Sequence, residues 1–347
     1  MKKVLVAMSG GVDSSVAAAL LIKEGYEVSG GTFIHFGEDG KDSEEAQNAK
    51  KVCDCLGIEH YTFDVRELFK EKVIDSFAKE YDKGLTPNPC IECNKYIKFG
   101  AFLDEALKLG FDFIATGHYS SVKTEADGQR VLLRPSDLKK DQTYVLWQLT
   151  QDRLTHILMP LGDYEKEDVR KIAEELKLPC AASKESQDIC FVPDKDYGAF
   201  LEEYNQKPFE KGKYLDLNGK FLSENKGHQH YTIGQRKGLG IALGKPQFVI
   251  SKDPLSNSVV LGDEEHLFKT KVIINDVNIM WGRDKTQEFS CTAKLRYSAK
   301  DAPCRYYPLG ENKALLEFEE PQRAPSPGQS AVLYEGKKVI GGGKIEI

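Results

Sequence analysis

The sequence predicts an α/β fold class: a domain with a mostly parallel sheet over residues 1–204, a small mixed β central domain over 205–270 and a C-terminal β-barrel over 271–347. Three observations predict it. A short apolar run, a glycine-rich loop and a helix open the chain. Strand and helix patterns then alternate through the first half, and short alternating runs broken by proline and glycine fill the last quarter.

Val4-Leu5-Val6-Ala7-Met8 reads as a fully buried parallel strand, and residues 16–22 as a helix stopped by Gly25. A strand at 27–33 follows, then a helix at 43–56 and a strand at 59–64. Ser43 suits the N-cap of that helix, with Glu44 and Glu45 in its first turn. Helical stretches at 66–83 and 95–109 precede a strand at 113–116. This order gives a Rossmann-like sheet with helices on both faces, and ligands belong at the carboxyl ends of its strands. Gly117-His118 directly follows the last of these strands and falls on the same rim as the first loop. A hairpin at 119–124 and 130–134 turns on Asp127-Gly128, and a helix at 165–176 closes the domain.

From about residue 205 glycines become frequent and helical periodicity fades. Runs at 289–296, 304–308, 314–318, 331–334 and 339–341 have the spacing of small-barrel strands. Pro321, Pro325, Pro327 and Gly328 punctuate them, and Gly336 turns the last hairpin.

The 347 residues allow two or three domains. A formal charge of −6 argues against a globally basic nucleic-acid binder but leaves room for local basic patches. Only five apolar residues separate Met1-Lys2-Lys3 from Ser9, fewer than the 7–15 of a secretory h-region, so the expected location is the cytoplasm. No stretch has the apolar length of a membrane span. Eight cysteines in a long intracellular chain point to buried, catalytic or metal-binding thiols rather than a disulfide framework.

The opening loop, Ser9-Gly10-Gly11-Val12-Asp13-Ser14-Ser15, has the geometry of a phosphate site. Two glycines let backbone N–H groups approach an anion, and the following helix end adds partial positive charge. Ser9, Ser14 and Ser15 offer hydroxyls, and Asp13 is a candidate partner for a metal ion on the nucleotide. No Gly-Lys-Ser/Thr follows, so the loop is not a Walker A sequence. It resembles the PP-loop of ATP pyrophosphatases. That resemblance implies cleavage of ATP between the α and β phosphates and activation of a substrate by adenylation.

Cys90 and Cys93 stand three apart in Thr86-Pro87-Asn88-Pro89-Cys90-Ile91-Glu92-Cys93-Asn94, just before a helix. A helix N-terminus favours thiolate, so lowered thiol pKa values are expected there. Cys-x-x-Cys alone is compatible with redox chemistry, with zinc (His118 being a further ligand candidate) or with two packed thiols. Cys190 lies in Ser186-Gln187-Asp188-Ile189-Cys190-Phe191; Cys53, Cys55, Cys180, Cys291 and Cys304 read as small buried residues.

Together, several motifs resemble the tRNA-specific 2-thiouridylases, the MnmA family. They are the first loop, Thr86–Pro89 with Cys93-Asn94 and Ile97-Lys98-Phe99, Ala115–Tyr119, Lys140-Asp141-Gln142, Ile189-Cys190-Phe191, His230–Gly240 and Pro327–Val332. The resemblance implies 2-thiolation of the wobble uridine of tRNAs for lysine, glutamate and glutamine. ATP with Mg2+ would adenylate the uracil C2 oxygen, and sulfur would displace AMP. It places ATP contacts at Ala7, Met8, Ser9, Gly10, Gly11, Val12, Asp13, Ser14, Phe33 and Gly117. Cys190 would carry persulfide sulfur from a donor protein, a cysteine desulfurase or a sulfur relay. Cys93 would release that sulfur by disulfide formation or act as acid/base.

In this family an aspartate often occupies the position of Cys90. The third thiol opens a second scheme, a 4Fe–4S cluster on Cys90, Cys93 and Cys190 with one iron free to bind sulfide. The resemblance puts tRNA contacts at Asn88, Pro89, Cys90, Lys140, Asp141, Gln142, Arg296 and Tyr297, and Lys139, Arg236 and Lys237 are further candidates for phosphate or base contact. Two rival readings are another PP-loop adenylating enzyme that forms amides, and a non-catalytic tRNA-binding protein.

Overall fold

The computed structural model describes residues 1–35, 43–183, 189–192, 196–310 and 312–346, so Ser186-Gln187-Asp188 lie outside the described residues. The first strands are β1 (Lys3–Ala7), β2 (Glu27–Ile34), β3 (His60–Asp64), β4 (Phe113–Ala115), β5 (Ser121–Thr124), β6 (Arg130–Leu133) and β7 (Ile157–Leu158). Five of them form an all-parallel sheet in the order β3-β2-β1-β4-β7. The connection reverses direction at β1, whose neighbours are β2 on one side and β4 on the other. A crevice therefore opens at the carboxyl ends of β1 and β4, the place where such sheets bind ligands.

Helices cover both faces because both faces are apolar. On one side α1 (Val12–Lys23) and α2 (Glu44–Leu56) bury Val16, Ala17, Ala49, Val52 and Cys53 against Val4 and Val6. Ser43 caps α2 as expected, its hydroxyl accepting from Ala46 N at 3.2 Å.

The stretch expected as one helix at 66–83 is a continuous rod of α3 (Arg66–Phe69), a π-helical segment Lys70–Ile74 and α4 (Asp75–Asp82). The next rod starts earlier than residue 95. Pro89 occupies the first position of α5 (Pro89–Glu92), a π-helical segment Cys93–Ala101 follows, and α6 (Phe102–Lys108) completes it. Phe99, Phe102 and Leu103 of this rod pack on the second face of the sheet. Short α7 (Gln151–Leu154), α8 (Lys166–Glu175) and α9 (Tyr197–Tyr204) complete the helices used below.

A four-stranded sheet follows, β8 (Gly212–Leu215), β9 (Phe221–Asn225), β10 (Phe248–Asp253) and β11 (Ser258–Gly262), in the order β10-β11-β8-β9. The last strands are β12 (Phe268–Ile279), β13 (Phe289–Lys294), β14 (Ala302–Gly310), β15 (Lys313–Arg323), β16 (Ser330–Glu335) and β17 (Lys338–Ile345). They run β12-β15-β14-β13-β16-β17 and close through a β12–β17 pairing into an antiparallel barrel around Ile274, Ala293, Leu316 and Leu333. β12 runs across residue 270 and shows almost no sequence signal, because four exposed residues open it.

The β5–β6 hairpin, expected from Asp127-Gly128, pairs with the barrel edge at Leu133 and Lys338. Trp147 inserts beside it and donates to Ser330 Oγ at 3.0 Å. Tyr144, Trp147, Val332 and Tyr334 share one core, so the parallel-sheet region and the barrel are packed together.

Candidate active site

The loop after β1 is shaped by close backbone approaches. Gly10 has φ +71°, and a Cβ there would lie 2.6 Å from Asn48 Cβ of α2. Gly11 is the N-cap of α1 and Val12 its first residue. Ser14 Oγ donates to Gly11 O at 3.2 Å and accepts from Ser9 N at 3.3 Å; Ser15 Oγ donates to Gly11 O at 2.8 Å. The serines thus brace the loop, leaving the N–H groups at the start of α1 to meet an anion. Met8 is buried and its carbonyl accepts from Thr32 Oγ1 at 2.8 Å, so it contributes backbone rather than side chain. Ala7 is half-buried beneath the loop. Phe33 is half-buried too, its ring edge-on to Phe102 at 4.8 Å.

Asp13 differs from expectation. Its carboxylate accepts from Lys166 Nζ at 2.6 and 2.8 Å and from Tyr119 OH at 2.8 Å, so both oxygens are already engaged by protein donors. As arranged it is not an open metal ligand. Tyr119 closes a motif already picked out in the sequence, but Lys166 is not marked there: it opens α8, and only the fold returns α8 to α1.

Gly117 joins the two rims, since a Cβ on it would stand 2.7 Å from Asp13 C and Ser14 N. His118 follows, buried, with Nδ1 2.8 Å from Thr116 Oγ1. Burial, then the nearby Lys98 charge, holds its pKa well below the usual imidazole value, so it is neutral at pH 7. Its ring packs on Phe99 at 5.8 Å, within the rod that carries Cys93. The phosphate loop and the thiol-bearing helix are therefore neighbours through Gly117-His118 and Phe99.

Asn88 caps that rod, its Oδ1 accepting from Cys90 N at 3.1 Å, and Pro89 is buried. Cys90 and Cys190 are exposed and Cys93 half-buried. Phe191 brings Cys190 to the same place, lying edge-on to Phe69 and Phe77 in an apolar cluster on which Cys93 and Ile189 also pack.

Thiolates favoured by the helix end are not what the structure gives. Although Cys90 and Cys190 keep a face open to solvent, the protein packed around the thiols desolvates them, pushing Cys93 up to about 11 and Cys190 to about 12; each feels Cys90 as a like charge, with Lys98 opposing. Burial also raises Cys90. The remaining cysteines are buried, except Cys55, which is exposed. Among the described residues no three His, Cys, Asp or Glu side chains are gathered closely enough to hold a metal ion. As arranged, the three thiols therefore do not fit a 4Fe–4S cluster, and Cys90, Cys93 and His118 do not form a zinc site.

Comparisons with known proteins follow the same division of the chain. Family models match residues 2–194 as a tRNA methyl transferase HUP domain, 198–263 as a tRNA methyl transferase PRC-barrel domain and 269–345 as an aminomethyltransferase beta-barrel domain. The tRNA-specific 2-thiouridylase MnmA of Carboxydothermus hydrogenoformans is 50% identical, covering 99% of this chain and 98% of its own. That of Clostridioides difficile is 47% identical with the same coverage. The chain belongs to the MnmA family of tRNA-specific 2-thiouridylases. As a PP-loop enzyme of this family it uses ATP. No described helix is long and apolar enough to cross a membrane.

For an MnmA-family chain, the residues expected at tRNA divide into two groups. Three have side chains committed to the fold. Asp141 is buried, its carboxylate accepting from Thr143 N at 2.9 Å and lying 3.6 Å from Arg134. Gln142 Oε1 accepts from Tyr119 N at 2.8 Å. Arg296 donates through Nη2 to Ile233 O at 2.7 Å and Ala324 O at 2.8 Å, stapling the central domain to the barrel. Outside the Asn88–Cys90 turn, where Pro89 is buried, the rest face outward: Tyr297 is 46% exposed, Lys139, Arg236 and Lys237 are exposed, and Lys140 is half-exposed. Tyr297 lies close enough to Cys90 for the charge of one to affect the other.

Proposed function

We propose that this chain catalyses ATP-dependent 2-thiolation of the wobble uridine in tRNAs for lysine, glutamate and glutamine, acting in the cytoplasm. The supporting observation is the contact of the phosphate loop with the thiol-bearing rod through Gly117, His118 and Phe99. One flipped-out base can meet both. The domain descriptions name a methyl transfer, in which Cys93 and Cys190 would have no part; a thiouridylase needs a sulfur carrier, and these two thiols supply one.

The α1 N-terminus and the glycines hold the phosphates of ATP, with Mg2+ on the nucleotide neutralising their charge. The uracil C2 oxygen attacks the α-phosphorus, the bond to the β-bridging oxygen breaks, and pyrophosphate leaves. C2 now bears AMP, a far better leaving group than a carbonyl oxygen. Cys190 carries a terminal persulfide sulfur supplied by a cysteine desulfurase or a sulfur relay. That sulfur attacks C2, and AMP departs with the former carbonyl oxygen. The Cys93 thiolate then attacks Cys190 Sγ, and the sulfur–sulfur bond breaks with its electron pair passing to the sulfur on C2. The products are 2-thiouridine and a Cys93–Cys190 disulfide, which an external dithiol reduces before the next round. Lys98 is the cation that favours thiolate here. Tyr297 offers a ring face for the extruded base, and Lys140, Arg236 and Lys237 offer charge to the backbone.

The test is nucleoside mass spectrometry of unmodified tRNA after incubation with enzyme, ATP and a persulfide donor. One AMP and one pyrophosphate per 2-thiouridine are expected. AMP formed without tRNA, and no thionucleoside, would favour the amide-forming class. Tight tRNA binding without pyrophosphate release would make the chain a non-catalytic binder.

A further inference from the structure

Lys344, on β17, reaches out of the barrel wall to two carboxylates of the first domain. Its Nζ lies 2.9 Å from Glu80 Oε1 and 2.9 Å from Glu92 Oε1. The three side chains are largely withdrawn from water, at 22%, 16% and 13% exposure. Glu80 stands on α4, while Glu92 ends α5, the turn that carries Cys90, and immediately precedes Cys93.

The same end of the barrel grips the chain just before this turn. Thr86 N donates to Pro327 O at 2.8 Å, and Gln329 Nε2 donates to Thr86 O at 2.7 Å. Gly328, at φ +89°, sits so close that a Cβ would stand 2.8 Å from Thr86 N. Backbone bonds thus fix the entry to the Cys90–Cys93 turn, and Lys344 fixes its exit.

We infer that Lys344 is a positioning residue for sulfur transfer: through Glu92 it seats the Cys90–Cys93 turn against the barrel. The inference rests on the reading that Cys93 handles sulfur. The chemistry of the triplet explains why a lysine is needed. Two carboxylates drawn out of water repel each other, and only the ammonium between them lets α4 and α5 close together on β17. Without it the thiols stay in the molecule but lose their place relative to the activated base. The phosphate loop is held separately, by α1, α2 and Lys166.

The experiment compares Lys344→Met and Lys344→Arg with the parent enzyme on tRNA, ATP and a persulfide donor. In Lys344→Met, kcat for thiolation falls about 10- to 100-fold, the effect of a small misplacement near reacting atoms. The KM for ATP and the single-turnover rate of tRNA-dependent pyrophosphate release stay within about twofold, which separates placement from general damage. Lys344→Arg, which keeps the charge, recovers most of the rate. Amide exchange supplies a readout independent of activity: the 86–93 peptide loses protection in Lys344→Met. Thiolation at the parent rate, or equal loss of thiolation and of the single-turnover pyrophosphate burst, would overturn the assignment. If Lys344→Met does not fold, Glu92→Gln supplies the same comparison. If Cys93→Ala thiolates normally, the role of Cys93 fails instead, and the exchange data still decide whether Lys344 holds the turn.

Discussion

Lys166 Nζ lies 2.6 Å from Oδ1 and 2.8 Å from Oδ2 of Asp13, joining residues 153 apart in sequence. The lysine side chain is 10% exposed, and Tyr119 adds a third donor to the same carboxylate. The phosphate loop is thus set not by its own residues alone but by a cation delivered from α8.

Lys166→Met should leave Asp13 with an uncompensated charge at the mouth of the loop. Breaking one side of a largely buried pair costs about 3 kcal/mol. The tRNA-dependent release of pyrophosphate should fall about 100-fold, because the carboxylate left without its cation repels the nucleotide phosphates at the loop. Lys166→Arg, which keeps the charge, should recover part of it. Parallel melting curves would show whether the loss lies in the site or in the fold.

Gly10→Ala tests the loop itself. The new Cβ would meet Asn48 Cβ at 2.6 Å and Ala49 N at 2.9 Å in a left-handed backbone conformation. Such strain and overpacking together cost about 2–4 kcal/mol. A lowered melting temperature with loss of ATP-dependent pyrophosphate release is expected. An unchanged melting curve would contradict the described packing of α2 on the loop.

Lys252 supplies a pH dependence. Burial pushes its ammonium pKa down to about 8, while Nζ donates to Leu85 O at 3.4 Å. The unfolded chain holds this proton up to about pH 10.4. Below pH 8 both states are protonated and the folded state bears the full burial cost. Between 8 and about 10 the folded state releases its proton first, so stability rises with pH. Lys252→Met should therefore be more stable at pH 7, by about 2 kcal/mol after allowance for residual exposure, with the advantage gone by about pH 10. Urea melts of both proteins at several pH values read this directly.

The raised thiols predict slow alkylation. With Cys190 near 12 and Cys93 near 11, their iodoacetamide rates should climb about tenfold per pH unit from 8 to 10 without a plateau. Lys98→Met, which removes the opposing charge, should slow both sites at each pH. Site-resolved mass spectrometry measures the rates, and a plateau near pH 7 would mean the thiols are less desolvated than described.

What the sequence made legible was mostly local. The apolar run before Ser9, the N-cap at Ser43 and the short runs after residue 280 carry their own signals, and each became the expected element. The motif residues lie near one another in the fold: Gly117 packs on Asp13 and Ser14, His118 on Phe99, and Cys93 near Cys190. Long-range pairings were not legible. Lys166 and Lys344 look like surface lysines on a helix and a strand, and only folding buries them against carboxylates. Arg296 and Asp141 look equally available for RNA, yet the structure spends their polar atoms on Ile233, Ala324 and Thr143. The thiol pKa values were misjudged for a related reason. A local rule about helix ends gave way to desolvation by segments far away in sequence.

The central claim is that the uracil C2 oxygen becomes part of AMP before sulfur takes its place. A tRNA anticodon stem–loop carrying 18O at C2 of the wobble uridine tests it, with enzyme, unlabelled ATP and a persulfide donor. The account predicts one 18O in the phosphate of AMP for each 2-thiouridine formed. Thiouridine formed with unlabelled AMP, and the 18O found in water or pyrophosphate, would contradict it.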